Sequence, residues 1–350
     1  GNLLPDGAGM MEIHGLTSEM IDVAAYTQKA FADAAKMASC LKQELLAKDY
    51  QQKADLLKVK INTQFWVEKD HSYADFIATK QQALHLMEDA IVRADTLGNG
   101  WAVKELTKMK AATVLDTTSK NKGFVMHHNW VVNTPLETGV AENDQAIKAL
   151  NTAKRFSNGF GMYVTGIDKN EKRDMQEYSY AASVGKNDFT YTGTVMTLPT
   201  AVQIIAENNY GRPDEAYDLL KKVNKTFGYA LPGSMYEVSP DYGMMTQAWN
   251  VYAYGEPIVK QFFGIRPYAF KKQVIVSPQL PAVLTHGSIE HVVIGDNQVS
   301  VSFKQEQNGI EFTITQKSND WNLLFQQPKG KFKKWVLNGE IIKPIVVGNM

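Results

Sequence analysis

The residues that could do chemistry in this chain are carboxylates, histidines and aromatics gathered in loops. The stretch Leu231–Tyr254, LPGSMYEVSPDYGMMTQAWNVYAY, sets Glu237 in a loop stiffened by Pro232, Pro240 and Gly243. Met235, Tyr236, Tyr242 and Trp249 surround it, and solvated loops seldom collect such groups. Aromatic faces stack on the CH-rich faces of pyranose rings while a carboxylate handles a proton or a water, so the pattern suits sugar chemistry.

Two further loops share this character. The first, PDGAGMMEIHGL, holds Asp6, Glu12 and His14, with Glu19 and Asp22 just beyond. Glu19 and Asp22 read most simply as first-turn acids that oppose a helix dipole. Glu12 lies between Met11 and Ile13, and an apolar setting raises a carboxyl pKa as a general acid requires. The second, MHHNWVVNTPLETG, concentrates His127, His128, Asn129, Trp130 and Glu137. Adjacent histidines rarely ligate one ion and no third ligand stands at helical spacing, so no metal site is expected. Trp130 is either a sugar platform or a packing residue. Walker, GxGxxG, GxSxG and HExxH patterns are absent, which leaves phosphoryl, dinucleotide, serine-esterase and zincin chemistry without support. No cofactor is expected.

The elements that must position these loops are mostly helical. Apolar residues recur at three- and four-residue steps from Ser18, where Ser18 or Thr17 would be the N-cap, and helices are predicted to follow over 49–68, 73–97 and 101–115. Gly98, Asn99 and Gly100 form a helix stop between the last two. Helices are also predicted over 142–156, 194–209, 213–227 and 244–254, with an irregular segment over 158–188. After Pro267 the pattern changes to apolar–polar alternation broken by Gly-Asp-Asn, Gln-Asn-Gly and Ser-Asn-Asp turns, which predicts an antiparallel β-sandwich. The expected division is a helical domain over 1–267 and a β-domain over 268–350.

The chain has 350 residues, a formal net charge of +0, 44% hydrophobic and 21% charged residues, the composition of a globular protein with no electrostatic case for a nucleic-acid partner. Its one cysteine, Cys40, excludes an internal disulfide and leaves the compartment open. No apolar run approaches the roughly 18 residues of a membrane span. The opening GNLLPDGAGMMEIHG is loop-like and already rich in motifs, which points to an upstream part of the same polypeptide.

Taken together, GMMEIHGLTSEMIDVAAYTQKAF, HHNWVVNTPLETGVA, FTYTGTVMTLP and LPGSMYEVSPDYGMMTQAWNVYAY resemble the (α/α)6-barrel glycoside hydrolases. The likeness is greatest to the bacterial amylo-α-1,6-glucosidase or glycogen-debranching-like proteins, and extends more distantly to glucoamylases and α-rhamnosidases. It spans roughly residues 5 to 267. The resemblance implies Glu237 as general base, with Tyr236, Gly243, Gln247, Ala248 and Trp249 matching around it. It implies Glu12 as general acid, with Asp6 and Glu19 as the alternatives. Sugar subsites would be lined by Trp130, His127, His128, Glu137, Tyr236 and Trp249, and the substrate would be an α-linked oligosaccharide or polysaccharide. A closed α/α toroid needs twelve helices against about eight here, so the ring would be incomplete at its N-terminus. A periplasmic or secreted location is favoured over a cytoplasmic one. The rival expectation is a non-catalytic glycan-binding or scaffold protein on the same fold.

Overall fold

The computed structural model describes residues 2–10, 18–96, 98–118, 120–168, 194–229, 231–239 and 242–346. The chain divides into two compact units, Gly1–Pro257 and Ile258–Met350, the first mainly helical and the second built of sheets.

In the helical unit, α1 (Ile21–Cys40) and α2 (Glu44–Lys60) form a helical hairpin, as do α3 (Lys80–Thr96) with α4 (Gly100–Leu115). Short helices α5 (Asn129–Val132) and α6 (Thr134–Glu137) follow, then α7 (Asn143–Ala153). A third hairpin pairs α8 (Thr197–Asn209) with α9 (Pro213–Asn224), and α10 (Ala248–Tyr254) closes the series. Among these, α8 is enclosed along almost its whole length, from Thr197 to Asn208, and packs on α5, α6, α7 and α10. A second contact set joins α1 to α5 and α6. The main core gathers Ile21, Leu57, Ile61, Phe65, Tyr73, Val131, Leu136, Leu150 and Ala206, and a smaller one lies between α3, α4 and Phe76, Phe124 and Met126. Truncating one of the fully buried residues, Leu57 for example, to alanine removes on the order of 2–5 kcal/mol.

Short extended segments lead into the helix N-termini and bond to one another. β1 (Asp6–Gly7), β2 (Ser18–Met20), β5 (Phe76–Ala78) and β6 (Lys122–Phe124) make a four-stranded sheet in that order. The two-stranded ladder of β3 (Trp66–Val67) and β4 (Ser72–Tyr73) stands beside it in sequence. Beyond β6 the chain reaches His128, which bridges Thr165, while Tyr163 bridges Val195 and Met196 bridges Val238. Strand-like segments therefore precede α1, α3, α5, α8 and α10 in turn.

Three helix expectations are corrected here. Ser18 is not an N-cap: it lies in β2, and Met20 caps α1 with backbone alone. The helix predicted over 49–68 runs from Glu44 to Lys60, widens into a π-turn at Ile61–Phe65 and gives way to β3. The helix predicted over 73–97 starts at Lys80. The reason is a reciprocal cap: Gln82 N–H donates to Thr79 Oγ1 at 3.2 Å and Thr79 N–H to Gln82 Oε1 at 3.1 Å. That box fixes the helix start and frees Ser72–Ala78 for strands.

In the second unit, β9 (His286–Ile294), β10 (Asn297–Glu306) and β11 (Gly309–Gln316) form one antiparallel sheet with tight turns at Gly295–Asp296 and at 307–308. β7 (Ile265–Tyr268), β8 (Gln273–Val276) and β12 (Asn322–Phe325) form another, and β13 (Trp335–Leu337) pairs with β14 (Glu340–Ile342). Ile265, Val274, Val276, Val299, Val301 and Trp321, drawn from both three-stranded sheets, share one core. Antiparallel pairing throughout does not hold: β12 runs parallel to β8, because the chain leaves that sheet to build β9–β11 before returning. The unit begins ahead of Pro267, which itself sits in the edge strand β7.

Candidate active site

Glu237 lies in a loop bonded on both sides. Its N–H donates to the Met244 carbonyl at 2.8 Å, and its own carbonyl accepts from Thr197 N–H at 3.4 Å, at the start of α8. Met235 N–H donates to Met245, Ser239 N–H to Val195, and Val238 and Tyr242 exchange both backbone bonds. The half-buried carboxyl of Glu237 rests against Gly243, whose φ of +81° turns the chain back. Asn250, 2% exposed on α10, donates from Nδ2 to the Met235 carbonyl and so ties the loop to the helix behind it. Tyr236 is half-buried and its carbonyl accepts from Thr197 Oγ1 at 3.3 Å. Trp249 is half-buried, and its indole N–H has no hydrogen-bond partner among the described residues.

Asp6 and Glu19 are direct cross-strand partners in β1 and β2. Asp6 is exposed, and Glu19 is half-buried and accepts a bond from Asn2 Nδ2. Glu12 and His14 lie outside the described residues, as does most of the FTYTGTV run. Beside this hairpin a groove is lined by Gly9, Met10, Asp22, Val23, Tyr26, Thr27 and Ala30. Asp22 at its floor is fully buried, and burial raises its pKa against the opposing pull of the Met10 N–H.

Glu137 is held by two phenols: Tyr26 Oη donates to Oε2 at 2.7 Å and Tyr252 Oη to Oε1 at 2.5 Å. Burial raises the Glu137 pKa despite these bonds, and both phenols are pushed upward by burial and by the carboxyl. The arrangement joins α1, α6 and α10 at one carboxyl group.

The two histidines each pair with a charged side chain. His128 is 3% exposed, with Nδ1 at 2.5 Å from Asp75 Oδ1, and Asp75 also accepts the backbone N–H of His128 at 2.9 Å and of Met126 at 2.6 Å. The Asp75 pairing holds the enclosed His128 ring to the loop at its start. His127, with φ of +55°, packs on the Phe156 ring at 4.8 Å and pairs through Nε2 with Arg155 at 3.0 Å. Burial and then Arg155 push its pKa down to about 4, so it is neutral near pH 7 and accepts from the guanidinium. Trp130 is half-buried, with part of its side chain packed against the main core.

Sequence reasoning missed Asp75, Asn250 and the pair Tyr26 and Tyr252. The Thr79–Gln82 box was the available signal for Asp75, since it starts the helix at Lys80 and leaves that carboxylate outside it. A further buried chain also escaped notice. Asn133 Nδ2 donates to Gln203 Oε1 at 2.9 Å, Gln203 Nε2 to Glu207 Oε1 at 3.0 Å, and Arg212 Nε stands 2.8 Å from Glu207 Oε2. Burial drives the Glu207 pKa up to about 7 even against Arg212. Among the described residues no cluster of three metal-binding side chains occurs, and no helix is long and apolar enough to cross a membrane.

No protein-family model and no curated protein matches the sequence. The fold does match solved structures. A GH78 family rhamnosidase of Bacillus sp. GL1 aligns over 89% of this chain with 15% identity and a TM-score of 0.52. A structure described as a sialidase aligns over 85% with 11% identity and a TM-score of 0.51. The chain spans about a quarter of each of those proteins, 26% and 25% respectively. The shared property is the fold, a helical domain followed by a β-domain.

Proposed function

We propose that this chain is the later part of an α/α-toroid glycosidase, followed by a β-sandwich, and that it resembles the amylo-α-1,6-glucosidase group in its loops. The substrate class is an α-linked glucan or a related oligosaccharide. Hydrolysis proceeds with inversion. Glu12, or else Asp6 or Glu19 from the same hairpin, gives a proton to the glycosidic oxygen as its bond to the anomeric carbon breaks. Glu237 takes a proton from a water whose oxygen bonds that carbon from the opposite face. The sugar leaves as the inverted hemiacetal and the other fragment as an alcohol, and proton exchange with solvent resets both carboxyl groups. Inversion calls for a separation of roughly 6.5–9.5 Å between them. Tyr236, Trp249 and Trp130 supply apolar sugar contacts, and Glu137 with its two phenols supplies polar ones.

The observation that carries this reading is the Glu237 loop: bonded on both strands, anchored by Asn250, and shaped by Gly243 so that the carboxyl stays half-buried. Fixed geometry of this kind is what a base activating one water requires. The test is hydrolysis of a panel of α-linked oligosaccharides by this chain and by an upstream-extended form, each with Glu237→Gln. Loss of turnover with retained binding supports the assignment. Binding without hydrolysis by any form makes the protein a glycan binder.

A further inference from the structure

Glu207 is 1% exposed and takes no part in the proton transfers above. It ends a chain of buried polar groups that begins at α6. Asn133, 2% exposed and just ahead of that one-turn helix, donates from Nδ2 to Gln203 Oε1 at 2.9 Å. Gln203, 1% exposed, donates from Nε2 to Glu207 Oε1 at 3.0 Å. Arg212 Nε stands 2.8 Å from Glu207 Oε2, and its Nη1 donates to Asn151 Oδ1 at 3.0 Å. At the other end of α6, Asn209 Nδ2 donates to the carbonyls of Leu136 and Glu137 at 3.0 and 2.6 Å. Helix α8 therefore grips α6 at its head through Gln203 and at its tail through Asn209. The side chain held this way is Glu137, whose bonds from Tyr26 and Tyr252 leave each oxygen a further lone pair for a sugar hydroxyl.

The sense of the amide chain depends on one proton. An ionised Glu207 only accepts, so Gln203 must turn its NH2 to it and its carbonyl oxygen to Asn133, as it does. A protonated Glu207 cannot hold its hydrogen on Oε2 against the Arg212 donor, so the hydrogen falls on Oε1, facing the Gln203 NH2. Two donors then meet until the Gln203 amide turns over, and its NH2 in turn meets that of Asn133. Burial holds the Glu207 pKa up at about 7, so both states are populated near neutrality. The charged groups facing it are Arg212, then Glu215 of α9 at 3.5 Å from Arg212, and Lys154 beyond α7 at 3.1 Å from Glu215. Helices α5 and α10 carry no charged residue, α6 only Glu137, and α7 only Asp144 and Lys148, the latter paired with Glu68.

We propose that Gln203 and Glu207 are positioning residues whose chain sets the tilt of α6, so that protonation of Glu207 regulates how Glu137 meets the sugar. The proposal rests on the reading that Glu137 contacts the substrate. With Glu207 ionised, donors and acceptors match from Arg212 to Asn133 and α6 is held at both ends. With Glu207 protonated, the head is released and, of the two grips, only Asn209 remains. Loss of one hydrogen bond between neutral groups corresponds to about three- to tenfold in affinity.

The test follows the upstream-extended protein at pH 5 and pH 8 with two readouts. One is hydrogen exchange at the Leu136, Glu137 and Thr138 amides, which bond to Asn133 and Thr134, corrected for the intrinsic effect of pH; it needs no activity. The other is KM for an α-linked oligosaccharide. At pH 5 the parent should exchange faster at α6 and show a KM about three- to tenfold higher than at pH 8. Glu207→Gln turns its oxygen to Arg212 and its NH2 to Gln203, as the protonated acid does, and should show the released behaviour at both pH values. Gln203→Met, which fills the space without relaying, should do the same. Parent exchange and KM that do not change with pH, or either variant behaving at pH 8 as the parent does, overturn the proposal. So does faster exchange with no change in KM. Glu137→Gln separates the two readings. A parent-like KM in that variant, or no hydrolysis by any form, defeats the proposed role of Glu137 and the regulation with it. A raised KM in Glu137→Gln beside a pH-independent parent rejects the regulation alone.

Discussion

Gly243 lies against the carboxyl of Glu237: a Cβ built on it would stand 3.0 Å from Oε2 and 3.4 Å from the Glu237 Cβ. A side chain at Gly243 would meet a left-handed backbone, with φ of +81°, and would push the Glu237 carboxyl aside by a few tenths of an ångström. Gly243→Ala should therefore act twice. The left-handed backbone costs about 1–2 kcal/mol of stability, read by thermal or urea denaturation. The displaced carboxyl lowers kcat about tenfold or more with KM near the parent value. A fully active, equally stable variant would show that the contact does not constrain Glu237.

Asn250 anchors the other end of the same loop. Asn250→Ala leaves the Met235 carbonyl without its donor, at a cost of about 1–3 kcal/mol, and Asn250→Asp should do no better because a carboxylate cannot donate. Both variants should also lose turnover in parallel with Gly243→Ala. Retention of parent stability by Asn250→Asp would contradict the donor assignment.

His128 offers a contrast between scaffold and subsite. With its ring enclosed and paired to Asp75, His128→Ala should lower stability while leaving glycan KM unchanged in whatever fraction folds. A raised KM at full stability would restore the sugar-contact role.

Glu207 makes stability depend on pH. Its folded pKa of about 7 lies above the ordinary carboxyl value of 4.5, because burial penalises the charge, so the protonated form is the one folding favours. The contribution is fully present below the unfolded pKa and is lost as pH rises through about 7. At about 1.4 kcal/mol per pKa unit the effect is on the order of 3 kcal/mol. Glu207→Gln should remove this slope, so urea denaturation at pH 5 and pH 8 should show the parent losing stability relative to the variant. Parallel curves would place the Glu207 titration elsewhere.

Much of this architecture was legible because helices advertise themselves. Gly98 at φ of +67° after α3, and Pro213 at the first turn of α9, mark ends that local chemistry alone determines. The β9–β11 strands were equally readable through alternation and the Gly295–Asp296 turn. The short strands β1, β2, β5 and β6 were not, since two or three residues leave no period to detect, and their pairing joins residues as far apart as Glu19 and Ile77. The parallel pairing of β12 with β8 escaped for another reason: alternation marks a strand but not the direction of its partner. At the candidate site, Glu237 was visible through its company of Pro, Gly and aromatics. Its supports were not: Asn250 looks like any polar residue on a helix, and Asp75 sat in what read as the first turn of a helix. Tyr26 and Tyr252 meet on Glu137 only because α1, α6 and α10 converge.

The central claim is that Glu237 removes a proton from the attacking water. The most direct test is azide rescue of Glu237→Ala in the upstream-extended polypeptide, with an α-glycosyl fluoride as substrate. Azide needs no base, so the account predicts that it restores turnover lost by the variant and yields the β-glycosyl azide, formed by a single inversion. Hydrolysis by Glu237→Ala at the parent rate without azide, or an α-configured azide product, would contradict it.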